Sequence, residues 1–328
     1  MAQKISTRVN QILGSEYPVI MGTMMGWSNA ELVAAAANAG AFACIASGMY
    51  TTTEALREEI RKAKSLTDKP FGININLFPA LRPQNLEEYI DTVIDEGIGI
   101  IETAGRNPEE LVERIKKGNV KLMHKCARLR DARKAQNVGA DLIEIVGFEC
   151  GGHPSREGIS SIVLVPQVVD AVQIPVVAGG GIADARGFIA MLALGAEGVV
   201  MGTRFLATSE CRIHESIKNR LIEAESTESV IALGSIGDPM RVLHTELISR
   251  VLEMEEKGAT LEEMLPVIAG DKSREAMSAG DIDNSLLPCG QVVGMVHEIS
   301  SIGDIIKGLV DEAGDIYERL GGSLGVRV

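Results

Sequence analysis

Eight short, β-rich runs recur over the first 204 residues of this chain, and each is followed by a stretch with helical spacing. They cover residues 19–24, 42–47, 71–77, 98–104, 121–126, 142–147, 175–181 and 198–204, with starts 21 to 33 residues apart. That interval holds one strand and one helix, the pattern of parallel βα units. Ser28 with Glu31, Thr51 with Glu54, Asn85 with Glu88 and Asn107 with Glu110 each place a capping oxygen three residues before a Glu. Such a pair satisfies two orphan amides at a helix start, and Pro108 suits the first helical position. An open Rossmann sheet has about six strands and carries its glycine fingerprint on the first of them. Here the glycine-richest turn follows the seventh. The expected fold is therefore α/β, a (β/α)8 TIM barrel.

Beyond residue 205 the strand pattern fades, and segments 209–225, 240–257, 260–268 and 291–319 read as helices. The expected organisation is a barrel over 1–208 and a mainly helical, substrate-side extension over 209–328, part of it packing back on the barrel. Residues 321–328 read as a frayed tail. The formal charge is −13, of which −11 lies beyond residue 205. That balance argues against nucleic acid or an anionic membrane as partner, since both need a basic face. The most apolar stretch, 32–49, is built of Ala and Gly and lacks the side chains of a membrane span. Five irregularly spaced cysteines without a CxxC pair read as reduced thiols. The first 13 residues lack an apolar signal region, so a cytoplasmic location is expected. Val242, Leu247, Val251 and Met254 form an apolar stripe that suits core better than a dimer face, and a homodimer stays open.

In such a barrel the chemistry sits at the C-terminal ends of the strands. Gly179, Gly180 and Gly181 at the seventh, with Met201, Gly202 and Thr203 at the eighth, expose backbone N–H groups where these barrels bind phosphate. At the sixth, Gly151 and Gly152 let backbone approach a planar ligand, and His153, pinned by Pro154, is placed to move a proton. Gly22, Thr23 and Met24 end the first run, Asn74 interrupts the apolar third, and Lys125 closes the fifth. Converging on one mouth, these groups suit a polar, planar, phosphate-bearing cofactor such as FMN. His124 has the opposite parity and should point away from the axis. Cys150 offers an alternative nucleophile, as in barrels that attack a purine nucleotide. No third residue supports metal ligation by Cys150 and His153. His214, His244 and His297 suit surface or packing roles.

The runs 147–154, 178–184 and 201–208 resemble the nitronate monooxygenase family, formerly 2-nitropropane dioxygenases. That family also includes flavin-dependent enoyl-acyl-carrier-protein reductases and NADH:quinone reductases. The resemblance is close over 17–214. The stretches 71–74, 102–105 and 124–126, and the prolines of the 78–83 loop, look most like the NADH:quinone reductase group. It implies an FMN barrel in which Gly22, Met24 and Asn74 line the isoalloxazine and Lys125 lies near its electron-rich edge. Gly180, Gly181, Gly202 and Thr203 would hold the phosphate, and His153 would be the acid/base. The implied enzyme is an oxidoreductase reduced by NAD(P)H or by a nitronate, with a quinone or an activated alkene, as in an enoyl thioester, among the acceptors. The competing readings are a Cys150-dependent purine-nucleotide dehydrogenase and a non-enzymatic flavin-binding regulator.

Overall fold

The computed structural model describes residues 5–78 and 84–325. Eight strands, β1 (Val19–Met21), β2 (Phe42–Ala46), β3 (Gly72–Asn76), β4 (Ile100–Ala104), β5 (Lys121–Cys126), β6 (Leu142–Val146), β7 (Val176–Gly179) and β8 (Gly198–Met201), form one closed barrel in chain order. Every neighbouring pair is parallel, and β1 closes on β8 through Val19↔Val199 and Met21↔Met201. Most strands are shorter than the apolar runs, because residues at one or both ends of a run pass into the flanking loops.

Alternation along the strands sorts the side chains into two sets. Ile73, Ile75, Ile101, Ile143, Ile145 and Val199 face the surrounding helices in the main core. Ile20, Phe42, Cys44, Ile100, Met123, Leu142, Val177 and Val200 face the axis and fill the barrel's lower half. Val9 and Leu13 of the helix Arg8–Leu13 join this second cluster and plug the barrel's base. Gly72 belongs to that interior: a Cβ there would lie 2.8 Å from Cys44 Sγ and 3.1 Å from Ile100 O.

The helices arise where the sequence signals them, with shifted caps. Asn29 and Thr52, not Ser28 and Thr51, are the N-caps, accepting from Leu32 N and Ala55 N. Ser28 Oγ instead accepts from Met24 N at 2.9 Å and ties down the turn after β1. Asn85 is an N-cap as expected, whereas Pro108 rather than Asn107 occupies the cap before Glu109–Lys117. Asn29 and Thr52 are polar residues in the extended cap geometry, whereas Pro108 caps without a side-chain bond.

Beyond the barrel the segment is not purely helical. Strands β9 (Ser229–Ala232) and β10 (Met240–Leu243) pair antiparallel, so the expected helix over 240–257 begins as a strand and becomes helical only at Glu246–Glu256. Met240, Val242 and Leu243 are apolar enough to fit either periodicity, and pairing with β9 decides. The last helix, Ile302–Leu324, packs on helices Ala185–Ala193 and Ala30–Asn38. Gly321 to Leu324 are therefore helical rather than frayed. Among the described residues no helix is long and apolar enough to cross a membrane.

Candidate active site

The upper half of the barrel interior is polar. The axis-facing parity that places Ile100, Met123 and Leu142 below brings Glu102, Lys125 and Glu144 above them. Lys125 Nζ lies 2.5 Å from Glu102 Oε1 and 3.0 Å from Glu144 Oε2. The two carboxylates are fully buried, while the lysine side chain keeps 20% of its exposure. Lys125 is thus the most exposed member of the cluster. Thr23, just past β1, donates its hydroxyl to Glu102 Oε2. Burial disfavours the charged lysine, but the Glu102 and Glu144 carboxylates outweigh it and raise Lys125. Burial pushes Glu144 up, and Lys125 only partly offsets this. Asn74, also buried, stands beside Glu102 in the β3–β4 register. Thr103 and His124 have the opposite parity, and their side chains meet at 2.8 Å outside the barrel wall. Burial takes the His124 imidazole down to about 4. It is a neutral structural group, as expected.

The loop after β6 is held by residues far away in sequence. Glu149 accepts from Ser161 N and Oγ at 3.0 Å each, fastening the loop to the start of the helix Ser161–Val169. Gly147 permits this, because a Cβ there would fall 2.2 Å from Ser161 Oγ. Gly152 exchanges two backbone hydrogen bonds with Arg241 of β10, at 3.1 and 2.6 Å. The Arg241 guanidinium, almost completely buried, donates to Phe148 O and Ser229 O and lies 4.7 Å over the Phe148 ring. The loop is thus joined to the β9–β10 hairpin by a single antiparallel bridge. His153 emerges from it partly exposed, stacked on Phe78 with centroids 4.9 Å apart. Its Nε2 lies 3.4 Å from Asp238 Oδ1, and that contact holds the Asp238 carboxyl below its usual range. Phe78 opens the 78–83 loop, whose remaining residues lie outside the described ones.

At the β7 and β8 ends, Gly180 and Gly181 take φ +85° and +74°. Side chains rarely adopt that region, and their N–H groups find no acceptor among the described residues. A Cβ on Gly202 would meet nothing within 4 Å, so backbone is open to a ligand there; the same is true of Gly152. The other glycines serve packing. A Cβ on Gly179 would lie 2.6 Å from Val200 Cγ1, one on Gly151 would lie 2.8 Å from the Cys289 backbone, and one on Gly22 would lie 3.2 Å from Val200 Cγ2. Gly22 N also donates to Met201 O. Thr203 Oγ1 accepts from Gly290 N at 2.8 Å, leaving its proton free to donate. Met24 packs beside the core at the rim.

Cys150 sits in the same loop, but burial pushes its thiol up to about 12. A protonated thiol is a poor nucleophile, which weighs against a purine-directed mechanism. No cluster suited to a metal ion occurs among the described residues. His214 is an N-cap accepting from Ser216 N, and His244 Nε2 contacts Ser249 Oγ, so both have local roles.

Four residues of the site escaped the sequence pattern. Glu102 and Glu144 read as single polar residues in apolar strands, although their parity with Lys125 is visible once the register is known. Arg241 and Asp238 lie more than 80 residues from the loop they hold, and nothing local signals that contact.

The nitronate monooxygenase family model matches residues 6–312. A (3aS,4S,5R,7aS)-5-hydroxy-7a-methyl-1-oxo-octahydro-1H-indene-4-carboxyl-CoA dehydrogenase of Rhodococcus jostii is 31% identical, covering 97% of this chain and 98% of the relative. A probable nitronate monooxygenase of Staphylococcus saprophyticus is 30% identical over 96% of this chain and 100% of its own. Among solved structures, FabK from Thermotoga maritima superposes with a TM-score of 0.87 at 33% identity, covering 97% of this chain and 99% of that one. A nitroalkane oxidase from Streptomyces ansochromogenes shares the fold, with a TM-score of 0.81 at 24% identity over 96% of this chain and 100% of that one. This chain belongs to the nitronate monooxygenase family, and it is an oxidoreductase.

Proposed function

We propose that this protein is an FMN-dependent oxidoreductase with His153 as its acid/base. The residues at the mouth fit the cofactor. Gly180, Gly181, Gly202 and Thr203 offer N–H groups with no acceptor among the described residues, and one hydroxyl, at the two strand ends where such barrels hold a phosphate. Lys125 presents a positive charge at the mouth, and Thr23, Met24 and Asn74 stand around it. Gly22, Gly151 and Gly179 keep the surrounding backbone close. FMN would supply hydride acceptance and donation there.

The chain's own part is proton movement, orientation and exclusion of water. His153 is placed to take a proton from an acidic carbon or to return one. The relatives' names point to a carboxyl-CoA substrate and to a nitronate, and both chemistries concern carbon beside an electron-withdrawing group. One base beside one hydride acceptor serves either. We favour a thioester-linked substrate, with NAD(P)H as the reductant when an activated alkene or a quinone is the acceptor. The match to a probable nitronate monooxygenase supports direct nitronate oxidation as the second reading.

The observation that carries the proposal is the convergence of His153, the open glycine turns and the Lys125 ammonium on one barrel mouth. An anaerobic visible spectrum of the purified protein tests it. A flavin band that NADH bleaches supports the reductase, and a band bleached only by a nitronate supports the second reading. A colourless protein that added FMN does not restore refutes both. H153A should stay yellow while turnover falls roughly 100-fold or more, the range for general acid–base catalysis; an unchanged rate removes His153 from the mechanism.

A further inference from the structure

We propose that Glu102 and Glu144 are positioning residues for the redox site: they fix the Lys125 ammonium at the barrel mouth and set the net charge beneath the cofactor. This rests on the FMN reading given above. One carboxylate would satisfy one ammonium, yet two converge on it from the strands flanking β5. Glu102 is fully engaged, bonded to Lys125 and to Thr23. Glu144 is not. It is completely buried and close to Lys125, but neither of its oxygens receives a well-directed hydrogen bond. Pure structural stability is a poor explanation for a buried carboxylate left in that condition.

The arrangement has a consequence for charge. Glu102 and Lys125 cancel, so the cluster is neutral when Glu144 carries a proton and carries one negative charge when it does not. Burial favours the protonated form of Glu144, and Lys125 and Glu102 act on it in opposite directions. The other inward groups facing the cluster are Thr23 past β1, Cys44 on β2 and Asn74 on β3. The buried Cys44 thiol is held well above its ordinary range and stays neutral. The two strands that complete the ring contribute only Val177, Gly179 and Val200 beside it. Ionisation of Glu144 is thus the cluster's variable charge. A cofactor gains negative charge as it accepts electrons, so a negative charge beneath it opposes reduction.

The test is the midpoint potential of the FMN-loaded protein, measured by spectroelectrochemistry at several pH values in wild type, E144Q and E102Q. E144Q keeps the Glu102–Lys125 pair and the side-chain volume. Its potential should be more positive than wild type at pH 8, and the difference should vanish near pH 5. E144D should restore the wild-type pH dependence. E102Q should bind FMN more weakly, because Lys125 loses its anchor; if it does not fold, E144Q alone decides. Identical potentials for wild type and E144Q at every pH overturn the inference while leaving the FMN reading intact. A wild-type protein that binds no FMN overturns both.

Discussion

Replacing Lys125 with Met removes the cation that contacts two buried carboxylates, and its cost should depend on pH in a calculable way. Glu102 and Glu144 are 1% and 0% exposed, so neither can turn to water. Removing one partner of a buried ion pair typically costs about 3–5 kcal/mol. The carboxylates can escape part of this by taking up protons. Glu144 is already raised in the folded protein by burial, and losing the lysine, which partly offsets that, raises it further. A raised folded-state acid binds its proton more tightly than the unfolded chain does. Its favourable contribution is therefore complete below the unfolded value and is lost as pH rises through the folded one. Each unit of extra elevation converts to about 1.4 kcal/mol. The deficit of K125M should be about 1 kcal/mol at pH 5 and about 3–5 kcal/mol at pH 8. At roughly 2 °C per kcal/mol for a chain of this size, the melting temperature should fall by about 6–10 °C at pH 8. Thermal melts of both proteins across that range make the comparison. Equal deficits at pH 5 and pH 8 would refute the reasoning, since they would mean that the carboxylates do not respond as buried acids.

Two further outcomes follow from the β6 loop. R241M leaves the Phe148 and Ser229 carbonyls without their donor, at about 1–3 kcal/mol each, partly offset by no longer burying a cation, for a net loss of about 2–4 kcal/mol. Turnover should fall more than flavin binding, because His153 loses its support; steady-state kinetics beside a flavin titration would show the split. Alkylation of Cys150 with iodoacetamide at pH 7.5 should be slow, because burial holds the thiol up to about 12. Mass spectrometry showing rapid modification of Cys150 coupled to loss of activity would revive a thiol mechanism.

The barrel was legible because its evidence is local and repeated. Strand runs and helix spacing recur eight times and cap signals four times, so a cap misplaced by one residue does not alter the topology. The same holds for the glycine turns after β7 and β8, where three consecutive glycines leave few uses for the backbone. The pattern could not divide labour among them. Gly202 leaves backbone open, whereas a Cβ on Gly180 would crowd Ser161 Oγ and the Gly147 backbone, and Gly179 and Gly151 are occupied by Val200 and the Cys289 backbone. That distinction depends on which strand or loop arrives opposite.

The amino-acid sequence by itself determined the parallel barrel, the mouth at which its chemistry gathers, and the candidate roles of His153 and Lys125. Periodicity and turn chemistry act over a few residues, and these features need nothing longer. Only the tertiary structure decided how those groups are held. Barrel closure brings Thr23 of the first unit against Glu102 of the fourth. The strand register aligns Lys125 between Glu102 and Glu144. The β9–β10 hairpin, itself hidden in a helical-looking stretch, carries Arg241 and Asp238 to the loop of His153. Each of these contacts joins residues that no local pattern relates, and burial there, rather than residue type, makes them matter.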